Sequence, residues 1–327
     1  MDDLISFNTP EEEYSRLLTS SFAEQQRSHG DRLRALLLGT ASLPPGRIWW
    51  WGLDGGRSGN DEACYERAAA QAAEMRERLE WDWDGSLRRG NPRLEELAVV
   101  AADVPRTCPE LQRSGSLDGL ALQRLLDAIV VSAADGAGGG YTQGMSDVAA
   151  FLLDHGRLKQ WEAYACMRAL SQRPLFHALS TLDQDCWAAF SQAYTAHLRQ
   201  HEPDVASHLA AVGLEPFFYL PEWLVSLWCR SLEADAARVA WGLLLLEGDL
   251  AITLRASLGV TTAIGPNILN CRDLTTCREI CRDAPRRLSS AAFRECTLAG
   301  PALDTRLLRP LAKWLDTATP AAPAIEL

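Results

Sequence analysis

No run of about 18 apolar residues occurs in this 327-residue chain, so nothing in it reads as a membrane span. The N-terminus opens on two aspartates with no cationic region leading into an apolar stretch, and no signal peptide is visible. Positive charge is in deficit: 32 Lys and Arg stand against 43 Asp and Glu, a net charge of −11. That balance repels phosphate backbones and argues against nucleic acid as the partner. No Cys-x-x-Cys occurs among the nine cysteines, which run from Cys64 to Cys296. Cys271, Cys277 and Cys281 are the densest group, and with no matching His pair they read as buried free thiols in a reducing compartment, not as a metal site.

Other chemistry is excluded the same way. His197 and His201 are four apart, but Leu198 stands where a His-Glu-x-x-His site needs its glutamate, so they read as solvated histidines. Gly-x-Ser-x-Gly is missing and no cysteine neighbours a histidine, which leaves nucleophilic catalysis without support. The Gly136–Gly140 run is followed by no Lys-Ser or Lys-Thr and preceded by no strand pattern; it reads as a hinge and not as a phosphate cradle. Alternating strand patterns with hairpin chemistry and fixed-period repeats are also lacking.

What is present is a soluble globular composition, 47% apolar and 23% charged, punctuated by proline and glycine into helical stretches. The class is all-α. Glu11 to Glu13 suit the start of a helix that continues with breaks to Leu38. Trp49, Trp50 and Trp51 cannot all face one side of a helix and read as core rings, at least one of them packing across a lobe boundary unless it is exposed and adhesive. Asp61 is the expected cap of a helix to Leu79, and Glu80-Trp-Asp-Trp-Asp-Gly reads as a polar turn with packed rings. Asn91-Pro92 is a helix start; Pro105 ends that helix and should push Val104 from helical angles, and Ser116 should cap the next. Met145, Val148, Ala149 and Leu152 form a buried stripe. Further helical patterns lie near 159–172, 183–201, 203–212, 221–232, 234–247, 272–282 and 303–316, with breaks at Pro174, Pro203, Pro221, Gly248, Pro266, Pro285 and Pro301. The Ala/Pro-rich tail, 317–327, reads as disordered.

Two polar side chains stand at changes of backbone direction. Arg106 follows the proline that ends a helix, and Gln143 opens another after the glycine run. A guanidinium offers a permanent charge and five donors suited to phosphate oxygens; a glutamine amide both donates and accepts, as orienting a water requires. Hydrolysis of GTP needs those two services and little else from a protein. Asp103, at the unfavourable negative end of its helix, needs a partner, and Arg106 or the turn's backbone amides are nearest. On residue chemistry alone a solvated arginine and a polar helix start remain the simpler reading.

Val100-Ala-Ala-Asp103-Val-Pro-Arg106-Thr107 resembles the Ile-x-x-Asp-x-x-Arg motif of the TBC domain family, GTPase-activating proteins for Rab small GTPases, and Tyr141-Thr-Gln143-Gly144-Met resembles its Tyr-x-Gln motif. Pro44 to Trp49 is similar to the family's opening Arg-x-x-x-Trp region, compressed to Arg47-Ile-Trp49, and Trp223 to Trp228 to its Trp-x-x-x-Leu-Phe segment. Arg238 to Gly248 is similar to its Arg-x-Trp-Asp segment ending in Glu-Gly, with one extra residue before Trp241 and Gly242 in place of Asp.

The resemblance implies a two-lobed, V-shaped all-α domain over 31–316, with lobes of about 31–180 and 181–316, preceded by an acidic leader and helix (1–30). It implies a GTPase activator that supplies Arg106 as an arginine finger and Gln143 as a glutamine finger to a GTP-bound Rab, the glutamine replacing the GTPase's own. Asp103, Thr107, Tyr141 and Gly144 would support them. GTP and Mg2+ would belong to the partner, so no cofactor and no metal is expected in this chain. The setting would be cytoplasmic, peripheral to endomembranes through partners, in vesicle trafficking. The alternatives are a TBC-like scaffold or effector that binds a Rab without activating it, and an unrelated all-α interaction protein.

Overall fold

A computed structural model of the chain describes residues 46–53, 60–82, 85–133, 140–247, 249–300 and 303–318. The acidic leader with its helix, Gly136 to Gly139 and the tail beyond Ala318 lie outside the described residues, as does any slack the glycine run was expected to give. The described residues form helices and turns with no strand among them, as the patterning predicts. No helix among them is long and apolar enough to cross a membrane.

The helices sort into two groups. In the first, α1 (Gly46–Leu53) packs on α7 (Gln160–Ser171), while α2 (Asp61–Glu80), α3 (Pro92–Asp103), α6 (Met145–Asp154) and α7 pack on α5 (Gly119–Ser132), which the short α4 (Pro109–Arg113) precedes in the chain. Tyr65, Ala68, Ala69 and Ala72 give α2 a stripe of mostly small buried side chains at helical spacing, so it lies close along α5. From Leu125 onward α5 is buried on every side, and the one carboxylate this encloses, Asp127, is held by Arg76 Nε at 2.6 Å. Burial pushes that carboxyl up while the guanidinium opposes the shift.

In the second group, α9 (Gln184–His201), α10 (Pro203–Ala211), α11 (Leu220–Leu224), α12 (Ala234–Glu247), α14 (Leu274–Asp283), α15 (Ser290–Leu298) and α16 (Arg309–Ala318) gather round α13 (Asp249–Leu269) or one another. α8 (Pro174–Ser180) bridges to the first group. So does α1, where Trp49 stacks on Phe151 at 5.1 Å and meets Trp241 at 5.3 Å; all three rings belong to one continuous core. Trp50 packs edge-on against Trp161, so the core reading of these two tryptophans holds. Trp241 is buried despite the extra residue before it.

Several local expectations fail for physical reasons. The helix over 249–269 was not anticipated because it carries Gly259, Pro266 and buried hydroxyls, all poor helix signals. Its hydroxyls are satisfied within the helix, Ser257 Oγ donating to the Thr253 carbonyl at 2.7 Å and Thr261 to that of Ser257 at 2.9 Å. Gly259 is there for close approach: a Cβ would lie 2.4 Å from the Cys296 carbonyl oxygen. Ser290–Leu298 also lacked a strong apolar period. Pro174, read as a break, is the first residue of a helix, where a missing N–H costs nothing; Pro203 likewise opens the helix expected near 203–212. The 221–232 pattern stops at Leu224, and in the 303–316 stretch helix begins only at Arg309. Val104 keeps helical angles before Pro105, because a 3-10 turn over Val104–Arg106 accepts proline near its start. Asp118, not Ser116, caps α5, accepting from Leu120 N at 2.9 Å, while Ser116 donates to Asp154. Asp61 begins α2 with Asn60 before it. Trp81 is 80% exposed, so the acidic turn does not pack that ring, though buried Asp82 organises it by accepting from Leu87 N at 2.8 Å. His197 is wholly buried, its ring bonding the Ala193 carbonyl and accepting from Asp304 N; it is not solvated.

Candidate functional site

The stem of Arg106 is built by α3. Asn91 caps that helix by accepting from Leu94 N, Pro92 occupies its first position, and Leu94, Leu97 and Val100 bury its inner face. At its end Asp103 is 3% exposed and surrounded by donors. The backbone then turns tightly: Thr107 N donates to the Asp103 carbonyl at 3.0 Å and Thr107 Oγ1 to the same oxygen at 2.9 Å. Gln112 Nε2 closes the turn from outside, donating to the carbonyls of Val104 at 2.7 Å and Thr107 at 2.6 Å. Out of this fixed turn the Arg106 side chain projects, 67% exposed, with Nη2 donating to Asp103 Oδ1.

The other oxygen of that carboxylate reaches the second motif. Tyr141 donates its hydroxyl to Asp103 Oδ2 at 2.6 Å, and Tyr141 N donates to Glu96 Oε2 of α3 at 3.1 Å. Burial, and then the Asp103 carboxylate, push the Tyr141 phenol above its usual range, so it stays a donor. One buried carboxylate therefore carries the guanidinium on one side and the phenol on the other. The partner expected for Asp103 is Arg106, joined by Tyr141, which sequence spacing did not suggest.

Two residues on, Gln143 is exposed, and α6 begins at Met145 with Gly144 as its cap, so Gln143 sits in the loop just ahead of the helix. Gly144 is needed twice over. Its φ is 101°, and a Cβ would stand 2.8 Å from Val225 Cγ1 and 3.0 Å from the Val225 carbonyl oxygen. Behind it the expected stripe of Met145, Val148, Ala149 and Leu152 is buried.

Gln143 and Gly144 border an open cleft of about 470 Å3, whose other walls include Phe217, Phe218, Val225, Arg230 and Arg278. Arg106 is not on that lining: the structure brings Asp103, Thr107, Arg106 and Tyr141 into direct contact, and Gln143 lies two residues beyond Tyr141, on the cleft. Arg230 was missed by sequence reasoning. It donates to Asp147 Oδ2 at 2.5 Å across 83 residues, from a turn in which Leu227 and Trp228 take positive φ while their side chains remain buried. Phe217 and Phe218, about half exposed beside the cleft, were missed too. The only advance signal was their adjacency at a helix break.

A model of the Rab-GTPase-TBC domain family matches residues 49–269. The chain belongs to that family. Among curated relatives, TBC1 domain family member 12 of Xenopus tropicalis is 28% identical over 167 residues, covering 50% of this chain and 23% of the relative. Carabin of Mus musculus is 30% identical over 163 residues, 49% of this chain and 35% of its own length. The TBC domain here thus matches only about a quarter to a third of these relatives. The Chlamydomonas flagellar RabGAP TBC domain superposes with a TM-score of 0.64 at 16% identity, covering 92% of this chain and 99% of that one. The Ypt/Rab-GAP domain of Gyp1p gives 0.61 at 14% identity, covering 94% and 98%. At those identities the structures show a shared fold, and that fold is the TBC domain.

Proposed function

We propose that this TBC domain accelerates GTP hydrolysis by a Rab-type small GTPase in its GTP-bound form, acting in vesicle trafficking. Family membership supports a Rab GTPase as the partner. In this reading Arg106 is the arginine finger, neutralising charge that develops on the transferring phosphate, and Gln143 is the glutamine finger that orients the attacking water. The partner carries GTP and Mg2+, so the chain contributes side chains and no cofactor.

The observation that carries the reading is an exposed guanidinium held on Asp103, whose carboxylate also accepts from Tyr141, two residues before an exposed glutamine amide. A finger must be held in place yet reach a ligand on another protein. Here the backbone is pinned and the side-chain ends are not buried. Asp103 keeps the guanidinium oriented in the free domain and gives it up when phosphate oxygens arrive. The half-exposed Phe217 and Phe218 beside Arg230 and Arg278 suit a protein surface more than a small solute.

An arginine supplied to a GTPase in trans is worth about 10³ to 10⁵ in rate, roughly 4 to 7 kcal/mol of barrier. Single-turnover hydrolysis by a panel of GTP-loaded Rabs tests the proposal. At least one Rab should respond, and Arg106→Ala should abolish the response. A panel with no responder, or an Arg106→Ala variant as active as wild type, rejects it, and tight binding without acceleration would favour the scaffold reading instead.

A further inference from the structure

Away from the finger motifs, the second helix group gathers soft metal ligands that sequence spacing alone did not connect. Cys271 and Cys277 lack a histidine nearby in the chain, which is why they read as packed thiols. The fold supplies one: His208, on α10, puts Nε2 3.4 Å from Cys271 Sγ, across 63 residues. The ligand atoms of His208, Cys271 and Cys277 all lie within 4.8 Å of one another. Cys281 stands one turn beyond Cys277 on the same face of α14, fully buried, and is not one of the three.

We propose that His208, Cys271 and Cys277 bind a zinc ion, with a water from the solvent side completing its tetrahedron. Tetrahedral zinc with bonds of about 2.3 Å to sulfur and about 2.0 Å to nitrogen sets its ligand atoms roughly 3.4 to 3.8 Å apart. The imidazole–thiol separation already matches, and the remaining spread closes with side-chain rotation. Three backbone segments supply the set: the middle of α10, the turn after α13 and the first turn of α14. Thiols that merely fill a core need no ring nitrogen aimed at them; these have one. His208 is partly exposed while both cysteines are buried, so the set has a solvent side through which an ion enters. Binding forms two Zn–S bonds and one Zn–N bond to neutral imidazole, and releases the two thiol protons to solvent. The ion would tie the turn after α13 to the middle of α10 and the first turn of α14, a structural role independent of GTPase activation.

The full chain, purified under reducing conditions, incubated with a small excess of zinc and then dialysed against metal-free buffer, should hold one zinc per chain by elemental analysis. Replacement by Co2+ should give the visible bands of a tetrahedral ion and a thiolate charge-transfer band in the near ultraviolet. Cys271→Ser and His208→Ala should each weaken Co2+ binding at least tenfold, while Cys64→Ser and Cys296→Ser leave it unchanged. Because a core variant can lose its fold, differential alkylation of the wild-type chain provides an independent readout. Zinc should slow modification of Cys271 and Cys277, and chelation should restore it. A zinc ratio far below one, binding retained in folded Cys271→Ser, or alkylation insensitive to zinc overturns the proposal.

Discussion

Arg106 and Gln143 are presented to solvent by opposite means. The arginine stands on polar bonds: a tight turn closed by Thr107 and Gln112, and the Asp103 carboxylate beneath the guanidinium. The glutamine stands on packing, in a loop pressed through Gly144 onto Val225 and followed by the buried stripe of α6. The guanidinium is held by charge and hydrogen bonds, whose geometry is directional. The amide is held by shape.

The largest effect is expected where the contrast rests on the fork of Arg106. Arg106→Lys keeps the charge and loses the planar donors, and should reduce the activated hydrolysis rate by about 10³-fold in single-turnover kinetics while leaving the thermal unfolding midpoint unchanged. Next comes the packed side. Gly144→Ala sets a Cβ against the Val225 backbone at a φ of 101°, and should cost about 2–4 kcal/mol in denaturant unfolding. If it unfolds like wild type, Gln143 is not held by shape. Tyr141→Phe removes one donor from the buried Asp103 and should cost about 1–3 kcal/mol, again by denaturant unfolding, with a smaller loss of activation than Arg106→Lys.

The smallest effect should come from His155 at the end of α6. Burial holds its imidazole below the usual 6.5, although Asp154 opposes the shift from 3.2 Å. With the folded value depressed, its contribution to stability is present above about pH 6.5 and is lost as pH falls from there toward that lower value. His155→Gln should therefore flatten the decline of the melting temperature below about pH 6.5.

The arginine side was largely legible in sequence because it is local. Asn91-Pro92 marks the helix start, the apolar period marks its buried face, and Asp103 and Arg106 are three apart. The glutamine side was only half legible. Gly144 beside Gln143 is visible, but Val225, the reason a glycine is needed, lies 81 residues away. Asp147 with Arg230 and His208 with Cys271 are also long-range pairs, and no spacing rule reaches them. The helix over 249–269 was obscured because its glycine and hydroxyls serve contacts with α15 and with its own carbonyls. Pro174 misled in the opposite sense, since proline begins a helix as readily as it ends one.

The division of labour between the two fingers is tested most directly on a responding Rab whose own catalytic glutamine has been replaced by leucine. If Gln143 supplies the water-orienting amide in trans, the wild-type chain should still accelerate single-turnover hydrolysis by that Rab, and Gln143→Ala should not. Acceleration that disappears with the Rab glutamine, or that survives in Gln143→Ala, would contradict a glutamine finger at Gln143.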